Sequence, residues 1–505
     1  MTIEFLQQAA ATNDWAAIMP EIMLAVTALI LLVLELVLDK KYHDAIPGVS
    51  IAAQLGIAAA LFVHFRSGVD FETFSGLIRH TTVGQFMRLF FVLTSIFVSY
   101  LGIIALRRQQ LPRIEFFTIV LLVSAAMMLL AQANHFVMYF VTVEAVAIGF
   151  FILASYFRTS SPSLEAGLKY LIMSGLSSAI LLFGITLLYG VAGNRSLPGG
   201  SADSMNFEVM RIFLHANPGN MLASVGIVLV LTGSAFKIGA FPFQMWVPDV
   251  YQGAPTPVTA FLAIGSKAAG FAVLLTLSQV VFAPYQGLVV AVLGIIAIGT
   301  ILFGNLAALT QSNVKRLMGL SGVSHAGYLL IGVIALYEVP MALSAILFYL
   351  FAYLLAAMAV FGVMMHVSNE KDHDQELDHY IDLAKQQPFL GAVLAIGLGS
   401  LAGIPPLAGF VGKLLIFISA FKAGLYPLLA VAVVGVVLSI YYYFGWIKAA
   451  FFTTWQVPVP EGEEPRKLSR TPVTFVGMVM LGTLAAASVV LGFYQGAFGH
   501  WLLGQ

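Results

Sequence analysis

The chain has 505 residues, of which 60% are hydrophobic and only 10% are charged, and its mean hydropathy is +0.94. A soluble domain carries about 25% charged residues, so we predict a polytopic α-helical membrane protein whose backbone groups are bonded within helices. Its formal net charge is +0, which argues against nucleic acid as a partner. The chain contains no cysteine, which excludes disulfides and thiolate-bound iron–sulfur clusters, so any redox chemistry must belong to a partner.

A hydropathy window of about 19 residues indicates about fourteen apolar spans. The first sixteen residues contain no lysine or arginine, so we expect the first apolar run to be retained rather than cleaved as a signal peptide. In chain order, the predicted spans are 17–38, 45–65, 84–106, 114–132, 135–157, 166–192, 219–247, 254–282, 285–309, 317–336, 339–367, 388–421, 425–450 and 471–495.

The distribution of positive charge predicts the orientation of these spans. If the N-terminus is outside, the odd-numbered loops hold 15 of the 24 lysines and arginines, the even-numbered loops hold 6, and 3 lie within the membrane. The positive-inside rule therefore predicts that both termini lie on the outer face. In this count Lys315 belongs to a cytoplasmic loop and Arg88 to an outer loop, and we expect the polar stretch 369–380 to be solvated.

Proline interrupts two of the spans, and each interruption lies beside a lysine. The seventh span contains Lys237 followed by Pro242, and the twelfth contains Pro405 and Pro406 before Lys413. Proline inside a helix removes a backbone donor and clashes with the preceding turn. In a membrane such breaks are tolerated only where the freed groups face protein or a wet cavity, so we predict two broken helices beside a polar pathway.

The two breaks lie five spans apart, at matching places in two five-helix units. We therefore predict a single membrane domain, 1–505, that contains two inverted five-helix repeats, 114–282 (spans 4–8) and 285–450 (spans 9–13). Paired broken helices in inverted repeats are typical of a transport pathway.

Four ionisable residues are predicted at mid-span: Glu144, Lys237, Lys267 and Lys413. A charge at bilayer depth costs about 2.5–3.5 kcal/mol even on a lenient scale, so we interpret these residues as a proton relay. Burial disfavours a lysine ammonium, which lets lysine exchange a proton near neutral pH, whereas a nearby carboxylate holds its charge. The alternative is that the lysines reach a membrane surface.

Two neighbouring glycines argue against that alternative for Lys267, because Gly265 and Gly270 place it deep within its helix. Glu144 is the acid nearest to mid-span, whereas Glu21 lies nearer a span end and is expected to be interfacial, as is His366. Hydroxyl side chains could hold water between the titrating groups. They are Tyr139, Tyr170, Ser174, Ser177, Ser178, Thr232, Ser234 and Ser266.

His325 lies in the tenth span and has two interpretations. An imidazole passes protons near pH 7, so His325 could join the two halves of the relay. It could instead be a packing histidine bonded to a backbone carbonyl. We predict no metal-binding or cofactor-binding residue in this chain.

Four segments resemble the antiporter-like proton-channel subunits of respiratory complex I, and most resemble subunit N of proton-pumping NADH–quinone oxidoreductase. They are 236–271 (FKIGAFPFQMWVPDVYQGAPTPVTAFLAIGSKAAGF), 164–190, 313–327 and 401–413. The chain ends after its fourteenth span, without the lateral helix expected of subunit L, and Lys413 fits subunit N better than subunit M. One departure is Gln244, where many relatives would have histidine.

The resemblance implies a membrane-arm subunit of a redox-driven translocase in a bacterial inner membrane. Flavin and iron–sulfur clusters would be in partner subunits, quinone would be reduced elsewhere in the complex, and this chain would move protons beside other membrane-arm subunits. Glu144 would control Lys237, Lys267 would connect the two halves, and Lys413 would lie on the exit side.

Two other functions remain open on sequence grounds. A subunit of a multisubunit cation/proton antiporter would need the same buried lysines, although the residues of the four segments and the chain length favour complex I. A structural scaffold without a conducting path would make the buried charges dispensable.

Overall fold

The computed structural model describes residues 10–111, 114–368, 371–452 and 472–503. It is almost entirely helical, and short helical turns lie at Lys40–Ala45, Ala283–Tyr285, Leu377–Tyr380 and Leu383–Gln386. The described helices of eight residues or more are α1 (Met19–Val37), α2 (Ile46–Val63), α3 (Thr82–Gln109), α4 (Ile114–Leu130), α5 (Phe136–Ala154), α6 (Ser161–Ala192), α7 (Phe207–Ala216), α8 (Met221–Lys237), α9 (Trp246–Gly253), α10 (Thr256–Val281), α11 (Gln286–Ala308), α12 (Val314–Ala335), α13 (Met341–Val367), α14 (Pro388–Ala402), α15 (Ala408–Lys422), α16 (Tyr426–Phe451), α17 (Phe475–Phe493) and α18 (Gln495–Leu503).

The polytopic all-helical fold predicted from hydropathy is confirmed. Within the described residues, 11 helices are long and apolar enough to cross a membrane by themselves, and α4, α8 and α14 are shorter apolar helices. Twelve predicted spans coincide with single helices, namely α1–α6, α10–α13, α16 and α17. The other two coincide with the broken pairs α8–α9 and α14–α15.

Both broken helices are present. Helix α8 ends at Lys237, and the chain runs through residues 238–245 before α9 begins, with Gly239 at a φ of 69°. Helix α14 ends at Ala402, the next residue, Gly403, has a φ of 87°, and α15 begins at Ala408. A positive φ is readily adopted by glycine, because it has no Cβ. Glycine therefore ends or redirects the backbone at each break.

The interior of the bundle is formed by α10, α12 and α13. Their most apolar 18-residue windows are 100%, 100% and 94% buried, compared with 28% for α1 and 22% for α17. Polar side chains on these three helices therefore face protein rather than lipid. Helix α10 also contains two π-helical turns, Leu262–Ser266 and Leu277–Val281.

The loops alternate between two faces of the bundle. Gln109, Ser160, Gly253 and Asp372 come from the third, fifth, seventh and eleventh loops and line one cavity, so we call this side the odd-loop face. On the opposite, even-loop face, strands β1 (Asp70–Thr73) and β2 (Ile78–Thr81) form an antiparallel hairpin, and the short helix α7 lies in the sixth loop. Neither the hairpin nor α7 was predicted from the sequence.

The interfacial prediction for Glu21 and the loop prediction for Arg88 are wrong. The two side chains are buried and form an ion pair, with Arg88 Nε 2.7 Å from Glu21 Oε1 and a second nitrogen 2.5 Å from Oε2. Gln132 Nε2 also donates to Glu21 Oε1 at 2.9 Å. A charge near a span end can be buried when a third helix covers it, and hydropathy does not show that helix.

Three other parts of the chain are more buried than the sequence predicted. His366 is buried and its Nε2 is 3.2 Å from the Tyr100 hydroxyl. Lys315 is buried at the start of α12. In the stretch 369–380, the first two residues lie outside the described residues. Four of the others are buried rather than solvated, namely Asp372, Gln375, His379 and Tyr380.

Several residues used to predict orientation lie outside the described residues. These are the two chain ends, 1–9 and 504–505, together with Arg113, Arg466, Lys467 and Arg470. The outward orientation of both termini therefore stays a prediction.

Because the chain has no cysteine, single cysteines can test its orientation. Ala202→Cys is exposed on the even-loop face, and Lys371→Cys is exposed on the odd-loop face. With the odd-loop face cytoplasmic, a membrane-impermeant maleimide should label Ala202→Cys in intact spheroplasts and label Lys371→Cys only after permeabilisation. The reverse pattern would invert the orientation.

Candidate proton-transfer site

Lys237 is the last residue of α8, where the first broken helix is interrupted. Its side chain is buried, and its Nζ donates to Ser174 Oγ on α6 at 2.9 Å. The Nζ also lies 5.5 Å from the centre of the Phe236 ring. The ammonium is therefore held by a neutral hydroxyl and an aromatic ring.

Glu144 lies on α5 and is half-buried. It accepts a short hydrogen bond from Ser178, which is one helical turn along α6 from Ser174. Within the described residues, Glu144 and Lys237 form no direct ion pair, and α6 instead presents one serine to each of them. The hydroxyls of Ser178 and Ser174 therefore lie between the Glu144 carboxylate and the Lys237 ammonium.

A small cavity lies next to Lys237. Its polar lining consists of Lys237, Tyr139, Ser234 and Ser266, and apolar side chains complete it. The Tyr139 hydroxyl is 2.8 Å from Ser234 Oγ. Hydroxyl groups can both donate and accept a hydrogen bond, so this lining is suited to holding a proton-conducting water.

Lys267 lies on α10, directly after the π-helical turn Leu262–Ser266. Its side chain is buried, and its Nζ donates to the backbone carbonyl of Gly322 on α12. The Nζ is 5.4 Å from the centre of the Tyr353 ring. Lys267 and Lys237 also line one shared cavity, which is too narrow to hold a water molecule, so the structure brings these two predicted residues together.

Gly322 allows Lys267 to approach α12 this closely. A Cβ at position 322 would lie 2.8 Å from the Lys267 Nζ and 3.1 Å from the Tyr353 hydroxyl. Any side chain at this position would displace the ammonium from its carbonyl. Sequence reasoning missed Gly322, since a glycine in an apolar helix carries no chemical signal of its own.

His325 lies on α12, three residues beyond Gly322, and is buried. Its Nδ1 is 2.5 Å from the Tyr349 hydroxyl and its Nε2 is 3.1 Å from the Tyr443 hydroxyl. Both ring nitrogens therefore contact tyrosine hydroxyls rather than a backbone carbonyl. In a neutral imidazole one of these nitrogens donates and the other accepts.

Lys413 lies on α15, the second half of the second broken helix. Its Nζ donates to the carbonyls of Leu401 at 2.7 Å and Ala402 at 3.1 Å, the last two residues of α14. The last carbonyls of a helix lack intrahelical partners and carry the negative end of the helix dipole. The broken helix therefore supplies neutral acceptors to a buried ammonium.

Two tyrosines connect His325 with the lysines on either side of it. Tyr353 lies between Lys267 and His325, with ring centres 5.0 Å apart for the tyrosine and histidine. Tyr328 lies between His325, at 6.0 Å between ring centres, and Lys413, whose Nζ is 5.4 Å from the Tyr328 ring. The predicted site residues thus form one series from Glu144 to Lys413 through the bundle interior.

A second buried cluster, at the odd-loop face, was not predicted. Lys315 Nζ is 3.1 Å from Asp372 Oδ2 and donates to the Ala254 carbonyl at 2.6 Å. Asp372 also accepts from the Thr256 backbone N–H at 2.7 Å and from Ser368 Oγ at 2.6 Å. The cluster ties the eleventh loop to the starts of α10 and α12.

The charge on Asp372 is set by opposing effects. Burial raises the pKa of the Asp372 carboxyl, but the Lys315 ammonium and the hydrogen bonds from Ser368 and Thr256 outweigh it and hold that pKa below its usual value. Asp372 is therefore a carboxylate at neutral pH, locked to a buried lysine. The two charges are 57 residues apart in sequence, so no local pattern could have paired them.

Comparison with known proteins agrees with this fold. The family described as "NADH:quinone oxidoreductase/Mrp antiporter, TM" matches residues 133–439. NADH-quinone oxidoreductase subunit N 1 of Opitutus terrae is 62% identical, and the alignment covers 100% of both chains. Subunit N of Heliobacterium modesticaldum is 36% identical over 96% of this chain and 97% of that one.

Two solved structures share the fold. A chain of respiratory complex I from Thermus thermophilus has a TM-score of 0.77 and 29% identity, covering 94% of this chain and 97% of that chain. A chain of the Mrp complex from Dietzia sp. has a TM-score of 0.78 and 22% identity, covering 97% of each, which shows the fold alone.

The family match and the two broken helices define the class: this is an antiporter-like membrane subunit of the kind found in complex I and Mrp complexes. Within that class, the 62% identity over the full length decides the family. The chain belongs to the subunit N family of NADH-quinone oxidoreductase, and it is a membrane subunit of that proton-pumping oxidoreductase complex.

Replacing Gly322 by alanine should impair coupled NADH–quinone turnover without changing any titratable group. The added Cβ would lie 2.8 Å from Lys267 Nζ, and a displacement near 1 Å at a reacting group can cost about 10²-fold in rate. We expect a loss of about tenfold or more, measured as quinone-coupled NADH oxidation per assembled complex. Gly190→Ala on α6 is the control, because its Cβ would enter open space. Full turnover of assembled Gly322→Ala would refute the importance of this contact.

Replacing Asp372 by asparagine should destabilise the subunit, because it leaves the Lys315 ammonium buried without its carboxylate. Breaking a buried pair costs about 3–5 kcal/mol, which should lower the thermal midpoint of the purified complex at pH 7. Asp378→Asn, which is 48% exposed, is the control.

The same pair should make stability depend on pH. The pKa of Asp372 is lowered in the fold, so its contribution is present above the unfolded pKa of about 3.9 and is lost as pH falls through the lower native pKa. The difference in thermal midpoint between wild type and Asp372→Asn should therefore be largest at pH 7 and should shrink below about pH 4. Equal midpoints at pH 7 would contradict the assignment.

Proposed function

We propose that this chain moves protons across the membrane through a series formed by Glu144, Lys237, Lys267, His325 and Lys413, driven by quinone reduction elsewhere in the complex. One observation carries the proposal. Each of the three lysines is buried, yet its Nζ is bonded to a neutral oxygen: the Ser174 hydroxyl, the Gly322 carbonyl, or the carbonyls that end α14.

Neutral partners leave a lysine free to change its charge. A neighbouring carboxylate favours the charged form of an ammonium, as Asp372 does for Lys315. A lysine that faces a hydroxyl or carbonyl in an apolar interior is only moderately stabilised as the ammonium, so a nearby change of charge can displace its proton. The contrast between Lys315 and the three relay lysines supports different roles for buried lysines in one chain.

Glu144 is the controlling charge in this proposal. As a carboxylate, Glu144 favours the ammonium form of Lys237, from which it is separated by Ser178 and Ser174. When Glu144 is neutralised, Lys237 can release its proton. The released proton passes to Lys267 once water enters the narrow cavity that the two lysines share.

His325 continues the series towards the exit side. It lies between Tyr353, beside Lys267, and Tyr328, beside Lys413. Each ring nitrogen contacts one tyrosine hydroxyl, so the imidazole exchanges protons through the hydroxyls of Tyr349 and Tyr443. Lys413 then delivers the proton at the second broken helix.

The surrounding organisation is part of the same proposal. The two breaks belong to inverted five-helix repeats, 114–282 and 285–450, in a bacterial inner membrane with both termini on the outer face. Other membrane-arm subunits are the neighbours, and partner subunits hold the flavin and the iron–sulfur clusters. The 62% identical full-length relative favours this function over a cation/proton antiporter, since the family match covers both kinds of protein and the Mrp chain is only 22% identical.

Substitutions at Lys413 distinguish a residue that carries a proton from one that supplies a fixed charge. Methionine at 413 keeps apolar bulk but carries no proton, and arginine keeps a charge that it cannot release, because its pKa exceeds about 12. We expect both Lys413→Met and Lys413→Arg to lower turnover and proton uptake by about 10²-fold, near the lower end of what a positioned proton donor contributes.

The measurement is quinone-coupled NADH oxidation and proton uptake in membrane vesicles, normalised to assembled complex. Lys422→Met is a matched control, since Lys422 ends the same helix and is exposed. Full activity with arginine at 413 would mean that this lysine supplies only a fixed charge, and the exit role would be wrong.

A further inference from the structure

Helix α9 separates two cavities. On its inner side, Trp246, Val247 and Tyr251 line the cavity shared by Lys237 and Lys267. On its outer side, Asp249, Gln252 and Gly253 line a cavity of about 270 Å³ at the odd-loop face, which we call the vestibule. These two sets alternate as expected for opposite faces of one helix. The barrier between the vestibule and the lysines is therefore a single helix of eight residues.

Charged contacts on the vestibule side tie α9 to its neighbours. Asp249 Oδ2 accepts from Lys169 Nζ on α6 at 2.6 Å, and Asp249 Oδ1 accepts from Arg316 on α12 at 2.7 Å. The same Arg316 nitrogen donates to Gln252 Oε1 at 3.0 Å. Lys169 also pairs with Glu165 on its own helix at 2.7 Å. Asp249 thus joins the barrier to helices on both sides of it.

The two ends of α9 are held differently. The chain before it is the non-helical break 238–245, and Gly239 there has a positive φ. Its other end is seated closely on α6, since a Cβ on Gly253 would lie 2.2 Å from the Pro162 carbonyl oxygen. Opening would therefore take the form of a tilt about the Gly253 end, in which Trp246 leaves its packing against Tyr170 and Phe236.

We propose that Asp249, with Lys169 and Arg316, is a gate that holds α9 closed over the cavity of Lys237 and Lys267. Opening this gate admits water and protons from the vestibule, and Asp249 is a positioning residue rather than a proton carrier. The inference rests on the proposed function, because only a proton relay gives the inner cavity a need for regulated access.

The strength of these pairs suits a gate. Asp249, Lys169 and Arg316 are each about a third or more exposed, and exposed ion pairs contribute little each. The buried Lys315–Asp372 pair a short distance along the same face is suited instead to a permanent connection. A barrier that opens on each cycle needs contacts of the weaker kind.

Thiol labelling tests the gate without requiring any pumping. In this cysteine-free chain, Val247→Cys reports the inner cavity and Gln252→Cys reports the vestibule. Each is combined with Asp249→Asn, or with Glu208→Gln as a matched control at the Arg211 pair in α7. The probe is a small cationic methanethiosulfonate, applied to the odd-loop face of membranes that contain the assembled complex. Labelling of this chain is followed by mass spectrometry.

With Asp249 intact, Gln252→Cys should react quickly and Val247→Cys should be protected. Asp249→Asn should speed labelling of Val247→Cys by about tenfold, because reaction of a protected group follows the population of the open form. Glu208→Gln should leave it unchanged. If Asp249→Asn does not assemble, Lys169→Gln can be used instead, because it removes one of the two ion pairs of Asp249. It should accelerate labelling of Val247→Cys to the same extent.

Two results would overturn the gate. Equal labelling of Val247→Cys and Gln252→Cys with Asp249 intact would mean that α9 is no barrier. Continued protection of Val247→Cys in both Asp249→Asn and Lys169→Gln would mean that other contacts keep it closed. Neither result depends on the relay, whose own failure is read from the Lys413 variants.

Discussion

A lysine ammonium inside a membrane must find its hydrogen-bond partners in the protein, because no bulk water reaches it. The breaks in the membrane helices meet this requirement. The break after α14 exposes the carbonyls of Leu401 and Ala402 to Lys413, and the break after α8 leaves Lys237 at a helix end facing Ser174. Lys267 lies in an unbroken helix instead, and Gly322 lets it reach a carbonyl of α12. The irregular backbone thus follows from where the charges lie.

The chemistry of the partner decides what each buried charge can do. Lys315 with Asp372 and Arg88 with Glu21 are paired with carboxylates, and they connect loops and helices permanently. The three relay lysines have neutral partners and are suited to exchange. Asp249 falls between these cases, because its pairs with Lys169 and Arg316 are charged but partly solvated. Buried charges with carboxylate partners and buried charges with neutral partners therefore occur in one chain, and the partner decides whether the charge can change.

The helices, both breaks and the three relay lysines could be predicted because each leaves a local signal: a long apolar run, a Pro/Gly interruption, or a charge within an apolar run. The contacts around Lys315 and Glu21 could not. Both lie near span ends, where hydropathy assigns charges to water, and their partners are 57 and 67 residues away. Gly322 and the α9 barrier depend on how α9, α10 and α12 pack together, which the linear sequence does not record.

The central claim is that protons pass through Lys237, and its most direct test is the proton-to-electron ratio of the reconstituted complex with Lys237→Met. Methionine fills similar space but cannot carry a proton. The account predicts that the assembled variant loses coupled turnover or pumps fewer protons per electron than wild type. An unchanged turnover and an unchanged proton-to-electron ratio in a fully assembled variant would contradict it.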